Sequence, residues 1–201
     1  RGPGATTTAA PRDDGAYYFR LSTRPIDQTP FEEARRRIGD AVLRRQVLAG
    51  AYRLATLAPE VEAGDGPVVQ LAACGAVLPE TLQAAAELAE EGIRVHVVDV
   101  TSLDRIYAAW QRTLRQGVRT ATAPSIPGPI RGVFLERTPI VTVHDGASHA
   151  MAWLGSALAA PCVPLGVDDF GQSGTIRDLY ELHDLLPGSI VNAALAALSL
   201  G

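Results

Sequence analysis

The sequence predicts an α/β protein: an open, mostly parallel sheet of about five strands with helices on both faces, plus an N-terminal strand and a helical connector. Two observations predict it. Short, continuous apolar runs recur after residue 67, as strands buried on both faces require. Between them lie segments of helical periodicity about a dozen residues long, the length that a crossover between parallel strands needs.

Residues 1–14 are rich in Gly, Thr, Ala and Pro, lack periodicity and read as a flexible lead-in. Residues 16–23, Ala-Tyr-Tyr-Phe-Arg-Leu-Ser-Thr, are aromatic and β-branched enough to predict one strand. It has no partner nearby, so its neighbours are expected outside the main sheet. From residue 31 to residue 57, Ile38, Val42, Val47, Ala51 and Leu54 recur at helical spacing. Arg35, Arg36, Arg37, Arg44 and Arg45 lie on the polar side of that helix, interleaved with Glu32, Glu33 and Asp40, as on a solvated face. Residues 60–66 are acidic, contain glycine and predict a linker.

The alternation then begins. Residues 68–74 predict a strand, and residues 79–91 a helix with Leu78, Leu82, Ala86 and Ala89 on one face and Gly92 at its end. Residues 93–100 predict a second strand, parallel to the first. Thr101-Ser-Leu-Asp104 has the form of a capping box, ahead of a helix carrying Leu103, Ile106, Tyr107, Trp110 and Leu114. Pro124, Pro127 and Pro129 make residues 120–132 irregular. Residues 140–144 predict strand three, followed by a helix through Met151 and Leu158, and residues 162–167 strand four. Helices over residues 175–184 and 187–198 close the chain.

Composition narrows the function. Net charge is −4, against a general nucleic-acid binder, whose phosphate contacts need clustered positive charge. All 18 basic residues are Arg, which removes Schiff-base chemistry and a P-loop lysine from this stretch of chain. The apolar runs fall short of the roughly 20 residues that span a bilayer, so no membrane helix is predicted. Cys74 and Cys162 lie in apolar runs and suit reduced, buried thiols in a cytoplasmic protein. The chain starts without Met or a signal-like order, which suggests a piece of a longer polypeptide.

The candidate sites are few. His96, His144, His149 and His183 form no metal-ligand pair, and no metal ligand is assigned. His96 reads as a satisfied residue of the sheet. His144 and Asp145 sit where strand three ends, at the edge that lines clefts in open α/β sheets. The chain holds no Gly-x-Ser-x-Gly elbow. The first strand is followed by Cys74-Gly-Ala-Val-Leu-Pro79, too poor in glycine for a dinucleotide pyrophosphate. The densest glycine motif is Leu165-Gly-Val-Asp-Asp-Phe-Gly-Gln-Ser-Gly174. Its Asp169, Gly171 and Ser173 form either a structural turn, with Ser173 capping the next helix and Gly171 in a conformation hostile to larger residues, or an anion site.

Four of these segments, in this order, resemble the transketolase superfamily of thiamine-diphosphate enzymes. Gly15-Ala-Tyr-Tyr-Phe-Arg-Leu-Ser-Thr23 is similar to the last strand of its pyrimidine-binding domain. Val69-Gln-Leu-Ala-Ala-Cys-Gly-Ala-Val-Leu-Pro79 is similar to the first βα unit of its C-terminal domain, and Val97-Val-Asp-Val-Thr-Ser-Leu-Asp104 to the second strand and turn. The segment from Leu165 to Gly174, with Leu179-Tyr180 and Ile190-Val-Asn-Ala-Ala194 beyond it, resembles the closing motif.

The resemblance implies that residues 15–60 are the end of a preceding pyrimidine-binding domain and a helical connector. Residues 61–201 would then be a C-terminal domain of this type. The Tyr-Tyr-Phe and Asp-x-Phe-Gly-x-Ser wording favours the decarboxylating component of homodimeric pyruvate dehydrogenase. Its implied partners are a homodimer mate, the N-terminal domains of the same enzyme and a lipoyl acyltransferase. The alternatives are a transketolase acting on sugar phosphates and a free-standing interaction module. The full enzyme would use thiamine diphosphate and magnesium. The resemblance transfers no catalytic or cofactor-binding residue to this stretch, and the stretch alone is expected to bind neither group.

Overall fold

The computed structural model describes residues 18–58 and 66–201. Its centre is a five-stranded sheet in the order β1-β3-β2-β4-β5. The strands are β1 (Tyr52–Leu57), β2 (Val68–Cys74), β3 (Arg94–Asp99), β4 (Ile140–His144) and β5 (Cys162–Leu165). The helices are α1 (Thr29–Ile38), α2 (Asp40–Ala49), α3 (Leu78–Glu90), α4 (Leu103–Thr120), α5 (His149–Leu158), α6 (Ile176–Leu182) and α7 (Pro187–Ser199).

The four strands β2 to β5 are parallel, as their continuous apolar runs imply, and Leu71 faces Val97 on one side and Val141 on the other. Successive side chains enter opposite faces. Val69, Leu71, Ala73, Val95, Val97, Val141 and Val143 pack beneath α1, α3 and α7, in one core with Leu88, Ile190 and Ala194. Ala72, Val98 and Ile140 pack on the other face, with Ile106 and Trp110 of α4, Met151 and Leu154 of α5, and Phe134. At the outer edge of the sheet Pro164 of β5 stands opposite Thr142.

Residues 31–57 are not one helix. The chain makes α1 and α2 with Gly39 between them, and α2 stops at Gly50, a left-handed residue whose N–H caps the helix. Left-handed backbone is where glycine outcompetes other residues at a helix end. β1 follows at once and pairs antiparallel with β3, with a bulge between Arg53 and Ala55. Tyr52 and Leu54 enter the α1 side of the core while Arg53 turns away to donate to the Val133 carbonyl at 2.9 Å, a two-residue alternation that the helical spacing had masked.

Of the segment expected as a strand over residues 16–23, the described residues 18–23 are irregular. The linker expected at residues 60–66 and the lead-in at residues 1–14 lie outside the described residues, apart from Gly66. The Thr101 capping box does not form. Thr101 Oγ1 instead donates to the Val47 carbonyl at 2.7 Å, and Ser102 bonds Asp104. The remaining elements lie within about two residues of their expected bounds, the usual scatter of helix ends.

One buried polar residue ties the irregular stretch after α4 to the sheet. Gln70, wholly buried on β2, donates to the carbonyls of Leu135 (2.9 Å) and Thr138 (3.2 Å) and accepts the Leu135 N–H at 2.6 Å. Replacing it by Leu leaves three main-chain groups without that partner, and each buried group so orphaned costs about 1–3 kcal/mol. Gln70→Leu is therefore expected to lower stability by roughly 3 kcal/mol, read as a fall in the urea midpoint with an unchanged m-value.

Candidate functional site

The strand order creates one place where neighbouring connections diverge. β2 leaves into α3 on one face and β4 into α5 on the other, so a crevice opens between their C-terminal ends. In open α/β sheets this is the usual position of a ligand. Here it opens into a broad groove whose other wall is formed by residues 18–31.

Asp145, one residue beyond β4, organises the crevice. One carboxylate oxygen accepts the Ala76 N–H at 3.2 Å and the other accepts Arg20 Nη1 at 2.6 Å; Arg20 Nη2 also donates to the Asp145 carbonyl at 3.0 Å. Gly75 has φ +94, and a Cβ there would collide with the Asp145 carboxylate. Arg24 reaches past the same turn, donating to Glu80 at 2.8 Å and to the Ala76 carbonyl at 3.4 Å. Burial works against the Arg24 charge, but hydrogen bonding and charge pairing with Glu80, helped by Tyr180, together raise its pKa above the ordinary value.

Further along the groove, Asp99 ends β3 against the Tyr52 hydroxyl. Burial, only partly offset by the hydrogen bond from Tyr52, pushes Asp99 up to about 6, and burial together with the Asp99 charge raises Tyr52. Phe31 of α1 packs edge-on against Tyr52, with ring centroids 6.0 Å apart. Cys74 is half-buried, and burial with the nearby charges of Asp145 and Asp99 lifts its thiol to about 12, so at neutral pH it is not a thiolate nucleophile. His144 Nε2 lies 3.9 Å from Asp145, beyond hydrogen-bond reach. The groove therefore offers cation-pairing carboxylates and hydrogen-bond donors, and its Cys74 and His144 are not set up as nucleophile and base. Among the described residues, no group of three or more His, Cys, Asp and Glu is placed to hold a metal ion.

The structure joins His144 and Asp145 to this groove but leaves Asp169, Gly171 and Ser173 outside it, on an exposed stretch between β5 and α6. Ser173 does not cap α6. Thr175 does, in a capping box with Asp178. Gly171 has no positive φ, and a Cβ there meets nothing within 4 Å. Asp168, which the sequence did not single out, accepts both the N–H (2.8 Å) and the hydroxyl (2.6 Å) of Ser148, tying that stretch to the start of α5. Sequence reasoning also missed Arg20, Arg24, Glu80 and the Asp99–Tyr52 pair. Asp99 carried a readable signal, an acid ending an apolar strand.

His96 is held in the sheet by Thr56, whose Oγ1 lies 3.1 Å from its Nδ1. Burial and the charges of Arg53 and Arg94 lower its pKa to about 4.

Two predictions follow from these settings. Gly75→Ala is expected to cost about 2 kcal/mol or more, because it joins an unfavourable φ to a clash with Asp145. Gly171→Val should change stability by no more than about 0.5 kcal/mol. Equilibrium denaturation of both variants checks this. The second concerns pH. The raised Asp99 contributes stability below its unfolded value of 3.8 that is lost as pH rises towards 6, whereas the lowered His96 contributes stability above 6.5 that is lost as pH falls towards 4. The two slopes oppose each other. Asp99→Asn is expected to leave stability rising from pH 4 to 6.5, and His96→Gln to leave it falling from pH 4 to 6, as urea midpoints across that range would record.

A family model described as the transketolase-like TK C-terminal domain matches residues 50–185. Among curated proteins, the plasmid-encoded transketolase of Cupriavidus necator is 27% identical over 190 residues, covering 94% of this chain and 23% of that protein. Transketolase 2 of Xanthobacter flavus is 29% identical over 157 residues, covering 77% of this chain and 19% of that protein. The chain thus spans about a fifth of the length of the curated relatives it matches. Transketolase of Pichia stipitis, solved in complex with sedoheptulose 7-phosphate, superposes with a TM-score of 0.50 at 15% identity, over 78% of this chain and 19% of that one. That likeness bears on the fold alone.

Proposed function

The chain belongs to the transketolase-like C-terminal domain family, and from that premise we propose that it is the C-terminal domain of a thiamine-diphosphate-dependent transketolase acting on sugar phosphates. The transketolase name shared by the three curated relatives carries this reading. The pyruvate dehydrogenase reading, with its lipoyl acyltransferase partner, has no counterpart among those names. In this assignment residues 15–60 are the end of a pyrimidine-binding domain and its connector, and residues 61–201 are the C-terminal domain. β1 belongs to the connector by sequence and to the domain's sheet by hydrogen bonding.

The domain serves assembly, as one half of a homodimer contact and as a support for the N-terminal domains of the same enzyme. The described residues do not fit thiamine diphosphate with magnesium. Magnesium holds a diphosphate through several oxygen ligands in near-octahedral array. The carboxylates at the sheet's C-terminal edge are already engaged: Asp145 by Arg20 and Ala76, Asp99 by Tyr52, and Asp168 by Ser148.

The test has two parts. Calorimetric titration of the chain with thiamine diphosphate and magnesium is expected to give no saturable binding; micromolar binding would overturn the assembly role. Supplied with the remaining domains of its enzyme, the chain is expected to support two-carbon transfer from a ketose phosphate to an aldose phosphate. Oxidative decarboxylation of pyruvate without that transfer would overturn the substrate assignment.

A further inference from the structure

We infer that the crevice between β2 and β4 is a built socket for residues 20–24 of this same chain, a two-arginine clip that occupies the position where an open α/β sheet takes a ligand. The inference rests on the geometry of the crevice and is independent of the substrate proposed above.

Its parts interlock around one turn. Residues 75 and 76, where β2 gives way to α3, are straddled by the two guanidinium groups. Arg20 takes the Asp145 carboxylate and carbonyl on one side, and Arg24 takes Glu80 and the Ala76 carbonyl on the other. The turn contributes one main-chain group to each half: the Ala76 N–H donates to Asp145, and the Ala76 carbonyl accepts from Arg24. Tyr180 of α6 lies near enough to add to the electrostatic support of the Arg24 charge, bringing a third element to the socket.

The acceptors are sheltered, Glu80 at 12% and Asp145 at 19% side-chain exposure; with Arg24 at 26% and Arg20 at 54%, the Arg24–Glu80 pair is the less screened of the two. Gly75 is required for the fit, because a side chain at that position would occupy the space of the Asp145 carboxylate. A ligand site at a switch point needs free polar groups that converge, and here the carboxylates converge on the chain's own arginines.

The clip also sets what the segment presents. Tyr18, Phe19 and Leu21 are 90%, 76% and 84% exposed, while the guanidinium groups of Arg20 and Arg24 reach the acids at the sheet edge. The ion pairs thus hold the backbone of an apolar segment against the sheet edge with its aromatic side chains facing outward, and they fix the direction from which the chain reaches the sheet.

Backbone amide relaxation measured by NMR on the whole chain tests this. In the wild type, order parameters over residues 20–24 should be near the rigid value of about 0.85, and in Arg20→Gln they should fall below about 0.6 while those of β2 and β4 stay unchanged. Asp145→Asn should also loosen the segment, by no more than Arg20→Gln because it keeps the bond from Arg20 to the Asp145 carbonyl, and the double variant should match Arg20→Gln. Order parameters below about 0.6 in the wild type, or a rigid segment retained in Arg20→Gln, would overturn the clip. If Asp145→Asn fails to fold, Arg20→Gln decides alone, because Arg20 is half-exposed and outside the core.

Discussion

β2 is hydrogen-bonded to a parallel neighbour on each side and covered by helices on each face. Much of the rest of the structure depends on that confinement. A strand with no free edge and no free face must be apolar throughout or supply a partner for every polar atom. β2 does the first everywhere except at Gln70, and the second there. Because its two neighbours are reached by connections on opposite faces, the end of β2 is also where the chain's paths diverge. The crevice and the groove are therefore consequences of the sheet order.

The same confinement explains what was legible in the sequence. β2 and β4, buried along nearly their whole length, announce themselves as continuous apolar runs, and the apolar stretches of β3 and the half-buried β5 could also be read with nearly correct bounds, as could the helices between them by periodicity. β1 could not. Ala51 and Leu54 continue the helical spacing of Val47, and Gly50, the residue that ends α2, lay inside the expected helix. The antiparallel edge position was decided by a neighbouring strand whose residues lie 38 to 47 positions away.

The site was legible only by position. A reading of strand ends brought His144 and Asp145 to notice, and the structure places Asp145 at the centre of the crevice. The glycine-rich motif drew attention for the wrong reason: Gly171 is conformationally ordinary, whereas Gly75, in a segment dismissed as poor in glycine, is the one whose missing side chain makes room for a carboxylate. Arg20 and Arg24 could not be paired with Asp145 and Glu80 from spacing. These contacts join residues 125 and 56 positions apart, and only the fold determines which distant acid meets which base.

Pro164 has a consequence at the far edge of the sheet. β5 is only four residues long and is paired on one side in the sheet, by β4. A proline in a paired edge strand turns its nitrogen away from the neighbour, leaving no hydrogen to offer outward. A second polypeptide laid along that margin would find its ladder interrupted at the third of four residues. An open sheet is a template for indefinite strand addition between molecules, and here one covalent ring blunts the template. The margin is thereby protected from fibrous growth without a charged side chain on the strand.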